Sequence, residues 1–413
     1  MKDKNEAFRY LKNSILRSYS QIFFSDNIAF AIIIICVTFF DVWAGFSGLL
    51  AVFISIVASK ILGYDSYRNS IGIYGFNNLF VGLGLGIYYQ PGFEFFLILF
   101  FASVFTFFIT ISLENVLGKY SLPFLSAPFL IGIWITMIAA NNFQALGLSS
   151  RGIFSINEIY AIGGSGLLDI YQWWNNLEFP FFFRVYFLSL GAIFFQYNIL
   201  GGILIAIGLL IYSRIGFSLS LLGLFTAYVF YEIIGANLSE LNYNYIGFNY
   251  ILTSIAIGGF FLVPSKSSYS WVILLVPVVA LVTISTSRIF AIFGLPIYSL
   301  PFNIIVLLFL HSLKLRLKRS KTLREVYLQQ NSPEKNLYSY LNSQQRFPEE
   351  YPVRAELPFW GEWTVAQAHN GNETHLGDWR HAWDFVITDK EGKIEGFNIN
   401  SERTVDVFFK RIE

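Results

Sequence analysis

The chain is a series of long apolar stretches separated by short polar or helix-breaking segments. The apolar stretches lie at about 28–64, 79–89, 94–112 and 124–143 in the first half, and at about 182–213, 216–236, 247–263, 270–290 and 301–314 in the second half. An apolar stretch of roughly 20 residues is long enough to cross a bilayer as a helix. The pattern therefore predicts an all-α polytopic membrane protein.

Two motifs that interrupt the apolar pattern occur twice. Tyr74–Asn78 is similar to Ile246–Tyr250, and Leu122–Phe129 is similar to Leu295–Phe302. The offset is 249 − 77 = 172 positions for the asparagines of the first motif and 296 − 123 = 173 for the prolines of the second. Two different motifs with nearly one offset indicate an internal duplication. Broken apolar segments at matching places in two halves are the best sequence indication of a transport site.

We predict about five transmembrane helices and a re-entrant half-helix in each copy. The first repeat covers residues 21–143, a polar and aromatic connector covers 144–180, and the second repeat covers 181–316. Residues 72–89 predict a short half-helix that runs into a span, because glycines and asparagines interrupt the segment. An odd number of spans per copy places the copies in opposite orientations, as inverted repeats.

Composition narrows the class further. Only 13% of the 413 residues are Asp, Glu, Lys or Arg, whereas soluble domains carry roughly 25%, and the mean hydropathy is +0.54. The net charge of +1 gives no indication of a nucleic-acid partner, and the single cysteine, Cys36, excludes an intramolecular disulfide. The sequence has neither a ladder of acids and bases suited to proton coupling nor a P-loop, so passive flux is favoured over pumping.

Basic residues flank the membrane region on both sides. A basic lead-in at residues 1–20 contains Lys2, Lys4, Arg9, Lys12 and Arg17. The block that follows the last apolar stretch contains Lys314, Arg316, Lys318, Arg319 and Lys321. The excess of Lys and Arg in cytoplasmic segments of membrane proteins predicts that both termini are cytoplasmic.

The C-terminal part changes in character. Residues 317–348 are predicted to be a basic and polar linker. Residues 349–413 are charged and predict a small β-rich soluble module, with a strand–turn–strand at Phe385–Phe397.

The segments Gln21–Asn27 and Tyr74–Asn77, the paired Leu-Pro-x-x-Ser-x-Pro-Phe motifs and their second copies together resemble the urea transporter family. The resemblance covers about residues 15–315. It implies a channel-type facilitator of the inner membrane that passes urea. It also implies a homotrimer with a pore between the inverted repeats of each protomer, and no cofactor for transport.

The chemistry of urea agrees with the motifs. Urea is small, flat and neutral, donates through its N–H groups and accepts through its carbonyl, so a selective pore needs apolar slots and a line of acceptors. Proline removes a backbone donor and leaves a carbonyl of the preceding turn free, and such carbonyls are tolerated in a membrane where they face a cavity. The prolines of the two motif pairs, Pro123, Pro128, Pro296 and Pro301, are therefore expected to leave carbonyls facing the pore.

The resemblance assigns pore residues in both repeats. They are Gln21, Phe24, Phe76, Phe80 and Ser126 in the first repeat, and Phe195, Phe248, Leu252 and Ser299 in the second. Phe80 stands where the family usually has leucine, and the two serines stand where it usually has threonine. Either hydroxyl can accept a hydrogen bond from urea, so we expect function to survive that exchange.

Two departures from the family leave the substrate open. Aligning Asn198 with Asn27 places Ala192 where the second repeat usually has Gln or Glu, and Gln196, one helical turn further, is a candidate substitute. Phe80 is larger than leucine and narrows the pore. A channel for another small amide or for ammonia is therefore an alternative.

Leu357–Gly371 and Thr374–Phe385 resemble the N-terminal part of the lysostaphin-like zinc metallopeptidase domain. The resemblance implies zinc bound by His375 or His381 and by Asp384. No histidine follows His381, so the His-x-His pair of that family is absent, and two ligands do not make a catalytic zinc site. Either the module is a fragment or it is degenerate. A membrane-anchored zinc endopeptidase, with the membrane part as scaffold, is the alternative from another class.

Overall fold

The structure is a computed structural model. It describes residues 2–149, 155–236, 246–317, 322–326, 329–346, 363–371 and 375–388. The chain divides into two compact units, residues 1–346 and residues 347–413.

Three helices of the first copy begin where a polar side chain, Asn27, Asp41 or Asp65, caps the backbone. Asn27 accepts a hydrogen bond from the Phe30 amide at 3.0 Å, and Asp41 accepts one from the Ala44 amide at 2.8 Å. Such caps satisfy amides that have no partner inside the helix. The helices are α1 Lys2–Ser20, α2 Ile28–Thr38, α3 Val42–Ile61, α4 Ser66–Ser70, α5 Phe76–Tyr88, α6 Phe93–Gly118 and α7 Ala127–Ala140.

The second copy repeats these caps. Asn198 accepts from the Gly201 amide at 2.7 Å, and Ser213 accepts from the Gly216 amide at 2.8 Å. A helix of the connector, α8 at Ser155–Asn175, precedes this copy and is broken at Gly164, whose φ is 63°. The helices that follow are α9 Phe181–Ala192, α10 Ile199–Tyr212, α11 Arg214–Ile233, α12 Phe248–Ile255, α13 Lys266–Ile292 and α14 Leu300–Lys314.

The lengths of the described helices confirm an all-α polytopic membrane protein. Four of them, α3, α6, α11 and α13, are long and apolar enough to cross a membrane, and the pair α1–α2, bent by 86°, is a possible fifth span. The other apolar helices of the two copies have 10–17 residues, when α12 is counted with the π-helical turn Ala256–Phe260 that continues it. Each copy thus has two long helices and several shorter ones, because prolines and capping residues interrupt the apolar pattern. The number of about five spans per copy stays a prediction.

Helix α5 occupies the centre of the first copy. It is a single helix and not the half-helix running into a span that residues 72–89 predicted. Every side chain from Phe76 to Gly86 is buried. A Cβ atom at Gly82 would collide with the Ser47 carbonyl and with Gly48 of α3. Small residues let α5 and α3 approach closely, as is typical of helix pairs inside membranes.

Each copy has an isolated antiparallel β-bridge between two extended segments. Tyr89 pairs with Leu148 in the first copy, and Leu262 pairs with Glu325 in the second. A further helix, α15 at Pro333–Arg346, belongs to the same compact unit. The described residues of the predicted linker therefore pack against the membrane unit instead of running free.

The second unit contains a two-stranded antiparallel sheet in its described residues. Strand β1 at Thr364–Gln367 pairs with β2 at Asp384–Val386. The turn predicted inside Phe385–Phe397 lies outside the described residues, and β2 has β1 as its partner.

Candidate functional site

A cavity of about 810 Å³ lies between the two copies. All the pore residues expected from the sequence line it, and they come from both copies: Gln21, Phe24, Phe76, Phe80, Ser126, Phe195, Phe248, Leu252 and Ser299. The fold thus brings together residues that are far apart in the sequence.

Aromatic side chains form much of the cavity wall. Phe24 stacks on Phe260 with ring centroids 4.3 Å apart and an interplanar angle of 19°. Phe76 stacks on Phe124 at 5.7 Å and 23°. These pairs leave flat apolar surfaces beside the cavity, which suit a flat solute.

Two phenylalanines reach the cavity through an uncommon backbone conformation. Phe24 has a φ of 57°, and Phe195, at 195 − 24 = 171 positions further, has a φ of 59°. Positive φ is uncommon for residues other than glycine, and a bulky side chain there indicates a constrained turn. The same conformation at equivalent positions shows that both copies build this turn in one way.

The asparagine of the first repeated motif clamps the second motif. Asn77 donates to the Leu125 carbonyl at 3.2 Å and accepts from the Phe129 amide at 3.1 Å. In the second copy, Asn249 donates to the Tyr298 carbonyl at 3.0 Å and accepts from the Phe302 amide at 3.2 Å. Both asparagines are fully buried. Each clamp spans the serine of its copy and fixes its position.

The serines of the two copies meet at the centre. Ser126 Oγ and Ser299 Oγ are 2.7 Å apart and share a hydrogen bond. Asn303 lies behind them, donating through Nδ2 to Ser126 Oγ at 2.8 Å and to the Ser299 carbonyl at 2.7 Å. Sequence reasoning missed Asn303, although a polar residue inside the apolar pattern of α14 was a signal.

Carbonyls of the proline motifs already have partners. Leu125 O and Tyr298 O accept from the two clamp asparagines, and Pro296 O accepts from the Trp134 indole at 2.8 Å. A carbonyl oxygen has two acceptor sites, so each retains a second one. That the prolines leave carbonyls facing the pore therefore stays a prediction, and these three carbonyls could offer a solute only their second acceptor site.

The two copies line the cavity with different polar groups. Arg68 and Glu114 form an ion pair on the lining of the first copy, and Gln21 lies on the same cavity. The equivalent of Glu114, at 287 − 114 = 173 positions further, is Ser287, and the equivalent of Gln21 is Ala192. Both also line the cavity. The cavity is therefore more polar on the side that the first copy provides.

Gln196 does not replace the amide missing at Ala192. Its side chain is buried and donates to the Thr38 carbonyl at 3.4 Å. The cavity lining includes Ala192, Ile193, Phe195 and Tyr197 but not Gln196. The suggested substitution is wrong because Gln196 faces α2.

The second unit brings two of the three candidate zinc ligands together. His375 Nε2 lies 3.1 Å from Asp384 Oδ2, and its Nδ1 bonds the Ala368 carbonyl at 2.9 Å. That backbone hydrogen bond, followed by the contact with Asp384, raises the pKa of His375 above its usual value. His381 instead accepts from the Arg380 guanidinium at 3.0 Å. Among the described residues, no group of three potential ligands could hold a metal ion, so the donor set does not fit zinc.

The fold and the cavity define a multi-pass membrane protein whose duplicated helical unit encloses a space between its copies. Residues 13–314 match the family model described as urea transporter, and the chain belongs to the urea transporter family. This confirms the resemblance seen in the motifs.

Proteins named urea transporter 1 from three mammals are similar to this chain. Those of Ovis aries and Capra hircus are each 26% identical over 361 residues, which is 84% of this chain and 87% of the relative. The protein of Mus musculus is 23% identical over 273 residues, which is 63% of this chain and 66% of the relative.

Proposed function

We propose that this protein conducts urea passively across the membrane through the cavity between its two copies. Membership of the family and the names of the relatives support urea as the solute. The observation that carries the proposal is the Ser126–Ser299 pair, which lines the cavity together with aromatic residues of both copies. Hydroxyls and flat rings on one cavity offer hydrogen bonds at the edge of urea and apolar contact at its faces.

A neutral solute suits the charges of the lining. Arg68 and Glu114, the charged side chains among the described lining residues, neutralise each other as an ion pair. Hydroxyls and aromatic rings of both copies line the same cavity. Such a passage replaces the hydrogen bonds between water and a neutral polar solute with hydrogen bonds to the groups of its own lining, as selective pores do.

The proposal includes the assembly and topology expected from the sequence. The protein would be a homotrimer of the inner membrane, with inverted copies and both termini in the cytoplasm. Large apolar side chains exposed on α6 and α13 support contact with lipid or with another copy; examples are Phe93, Phe101, Leu274 and Ile292.

Another small amide or ammonia is the second candidate solute. Ala192 gives the second copy no amide to match Gln21, so one side of the passage lacks a hydrogen-bonding group that could select urea. The peptidase alternative finds no support. His375 contacts Asp384, whereas His381 accepts a hydrogen bond from Arg380, and among the described residues no group of three ligands could hold a metal ion.

The central serine pair provides the test. Proteoliposomes that contain the protein would be exposed to a urea gradient, and swelling would be followed by stopped-flow light scattering. We expect saturable urea flux in the wild type and a loss of about tenfold or more in the Ser126→Val, Ser299→Val double variant. Removing both hydroxyls deletes hydrogen bonds worth about 1 kcal/mol or more each.

Thr136→Val is the matched control. The Thr136 hydroxyl donates to the Gly132 carbonyl within α7 and is not a lining group, so this variant should keep wild-type flux. A wild type that passes urea no faster than empty liposomes would contradict the proposal. The same liposomes tested with formamide and ammonia would then decide for the second candidate.

A further inference from the structure

Asn303 breaks the symmetry of the duplication at the centre of the molecule. Its equivalent in the first copy, at 303 − 173 = 130, is Leu130. Both side chains are buried. A buried amide is unfavourable unless its polar atoms are hydrogen-bonded, and Leu130 shows that the fold accepts an apolar residue at this position of the repeat.

All of the polar atoms of the Asn303 side chain are used. Nδ2 donates to Ser126 Oγ and to the Ser299 carbonyl, and Oδ1 accepts from the Ser126 amide at 3.2 Å. The amide cannot be flipped without loss, because the Ser126 N–H requires an acceptor and Oδ1 is the only acceptor of the Asn303 side chain. The Ser126 amide therefore determines that Nδ2 faces the serine hydroxyls, with Ser126 Oγ at 2.8 Å and Ser299 Oγ at 3.4 Å.

This orientation limits what the serine hydrogens can do. Asn303 presents an N–H group to Ser126 Oγ, and an N–H group cannot accept the hydrogen of either hydroxyl. The Ser126–Ser299 hydrogen bond uses the hydrogen of one hydroxyl. The hydrogen of the other hydroxyl is left to point away from Asn303, and both serines line the cavity while Asn303 does not.

We propose that Asn303 is a positioning residue that directs one serine hydroxyl hydrogen into the cavity, where it donates to the carbonyl oxygen of the passing solute. This inference rests on the proposed function and adds a substrate class to it. The passage favours solutes with an oxygen carbonyl, such as urea and formamide, over thiourea, whose sulfur is a weak acceptor.

The test compares urea with thiourea in the same proteoliposomes. Asn303→Leu, which installs the residue of the first copy, should lower urea permeability about fivefold to tenfold and leave thiourea permeability within about twofold, since one hydrogen bond to the carbonyl is lost. The urea-to-thiourea ratio is the readout, because a variant that merely distorts the passage lowers both permeabilities together.

Asn303→Asp is the second variant, in case the leucine variant does not fold. It has nearly the same shape and keeps an acceptor for the Ser126 amide, but as a carboxylate it accepts the serine hydrogen that Asn303 excludes. The urea-to-thiourea ratio should therefore fall in this variant also. Thr283→Val is the control, because that hydroxyl donates to the Val279 carbonyl within α13; its ratio should equal that of the wild type.

A double-mutant comparison tests whether Asn303 acts through the serines. In the Ser126→Ala, Ser299→Ala background, adding Asn303→Leu should not change the ratio further, because no hydroxyl remains to be directed. An equal fall of urea and thiourea in both Asn303 variants would overturn the inference and leave urea conduction intact. A wild type without urea flux would instead contradict the proposed function.

Discussion

At the scale of single residues, the two copies have the same strained backbone conformation before their central serines. Leu125 and Tyr298 have φ values of 47° and 45°, and each directly precedes a central serine. Left-handed backbone at bulky residues persists only where the surroundings impose it. The buried clamps of Asn77 and Asn249 provide that constraint, because each bonds the carbonyl of the left-handed residue.

Phe80 and Leu252 are equivalent positions with different sizes, since 252 − 80 = 172. Both line the cavity, and the Phe80 ring packs 5.1 Å from the Phe129 ring. We expect Phe80→Leu to raise urea permeability about twofold to fivefold by widening the passage, and Leu252→Phe to lower it by a similar factor. The direction of each change in permeability follows from the side-chain volume that is removed or added.

Stopped-flow measurements on the two variants check this prediction. The exchange variant Phe80→Leu, Leu252→Phe is the matched control, because it keeps the total volume of the pair. Unchanged permeability in Phe80→Leu would contradict a narrowing role for this side chain.

At the scale of elements, helix α15 supports the cavity wall from outside. Glu334 accepts from the Ile215 amide at 2.7 Å and from the Ser213 hydroxyl at 2.9 Å, at the beginning of α11. Carboxylates at a helix N-terminus are stabilising because amides there lack partners. Asn336 donates to the Gly259 carbonyl at 3.1 Å, in the π-helical turn that carries Phe260.

This contact links α15 to the slot formed by Phe24 and Phe260. The last carbonyls of a helix have no partner within it, and Asn336 also donates to the Phe260 carbonyl at 3.3 Å, where this turn ends. We expect Asn336→Ala to destabilise the protein by about 1–3 kcal/mol, the usual effect of leaving buried polar groups unpaired. Urea permeability should fall with it, because the Phe260 ring loses its support.

Thermal unfolding in detergent and urea flux measure the two effects. Gln345→Ala, an exposed position on the same helix, should change neither. If Asn336→Ala resembled that control in both measurements, α15 would be a passive attachment.

At the scale of the whole molecule, the chain divides into two compact units, and the cavity lies within the first of them. The first unit ends at Arg346 and includes α15. We expect a protein that ends at residue 346 to keep wild-type urea permeability, because the cavity and its supports lie within residues 1–346. A protein that ends at residue 316 loses the segment that pairs with Leu262, the lining residue Gln329 and α15, and should lose most of its flux.

Proteoliposome flux and elution as a single species check both truncations. Loss of flux in the longer protein, while it elutes as the full chain does, would show that the second unit takes part in conduction.

The sequence by itself determined the class of protein and much of the candidate site. The apolar stretches predicted helices in a membrane, and the shared offset of two motifs revealed the duplication. The motif resemblance then named the lining residues, all of which border one cavity. These features could be predicted because they depend on local composition and on spacing along the chain.

Only the tertiary structure decided which polar groups are available to a solute. The Gln196 amide donates to the Thr38 carbonyl, and Pro296 O accepts from the Trp134 indole, 162 positions away, which leaves it one acceptor site. Asn303 reaches Ser126 across 177 positions. A hydrogen bond depends on the packing of helices that no local pattern encodes, so donors and acceptors could be counted from the sequence but not paired.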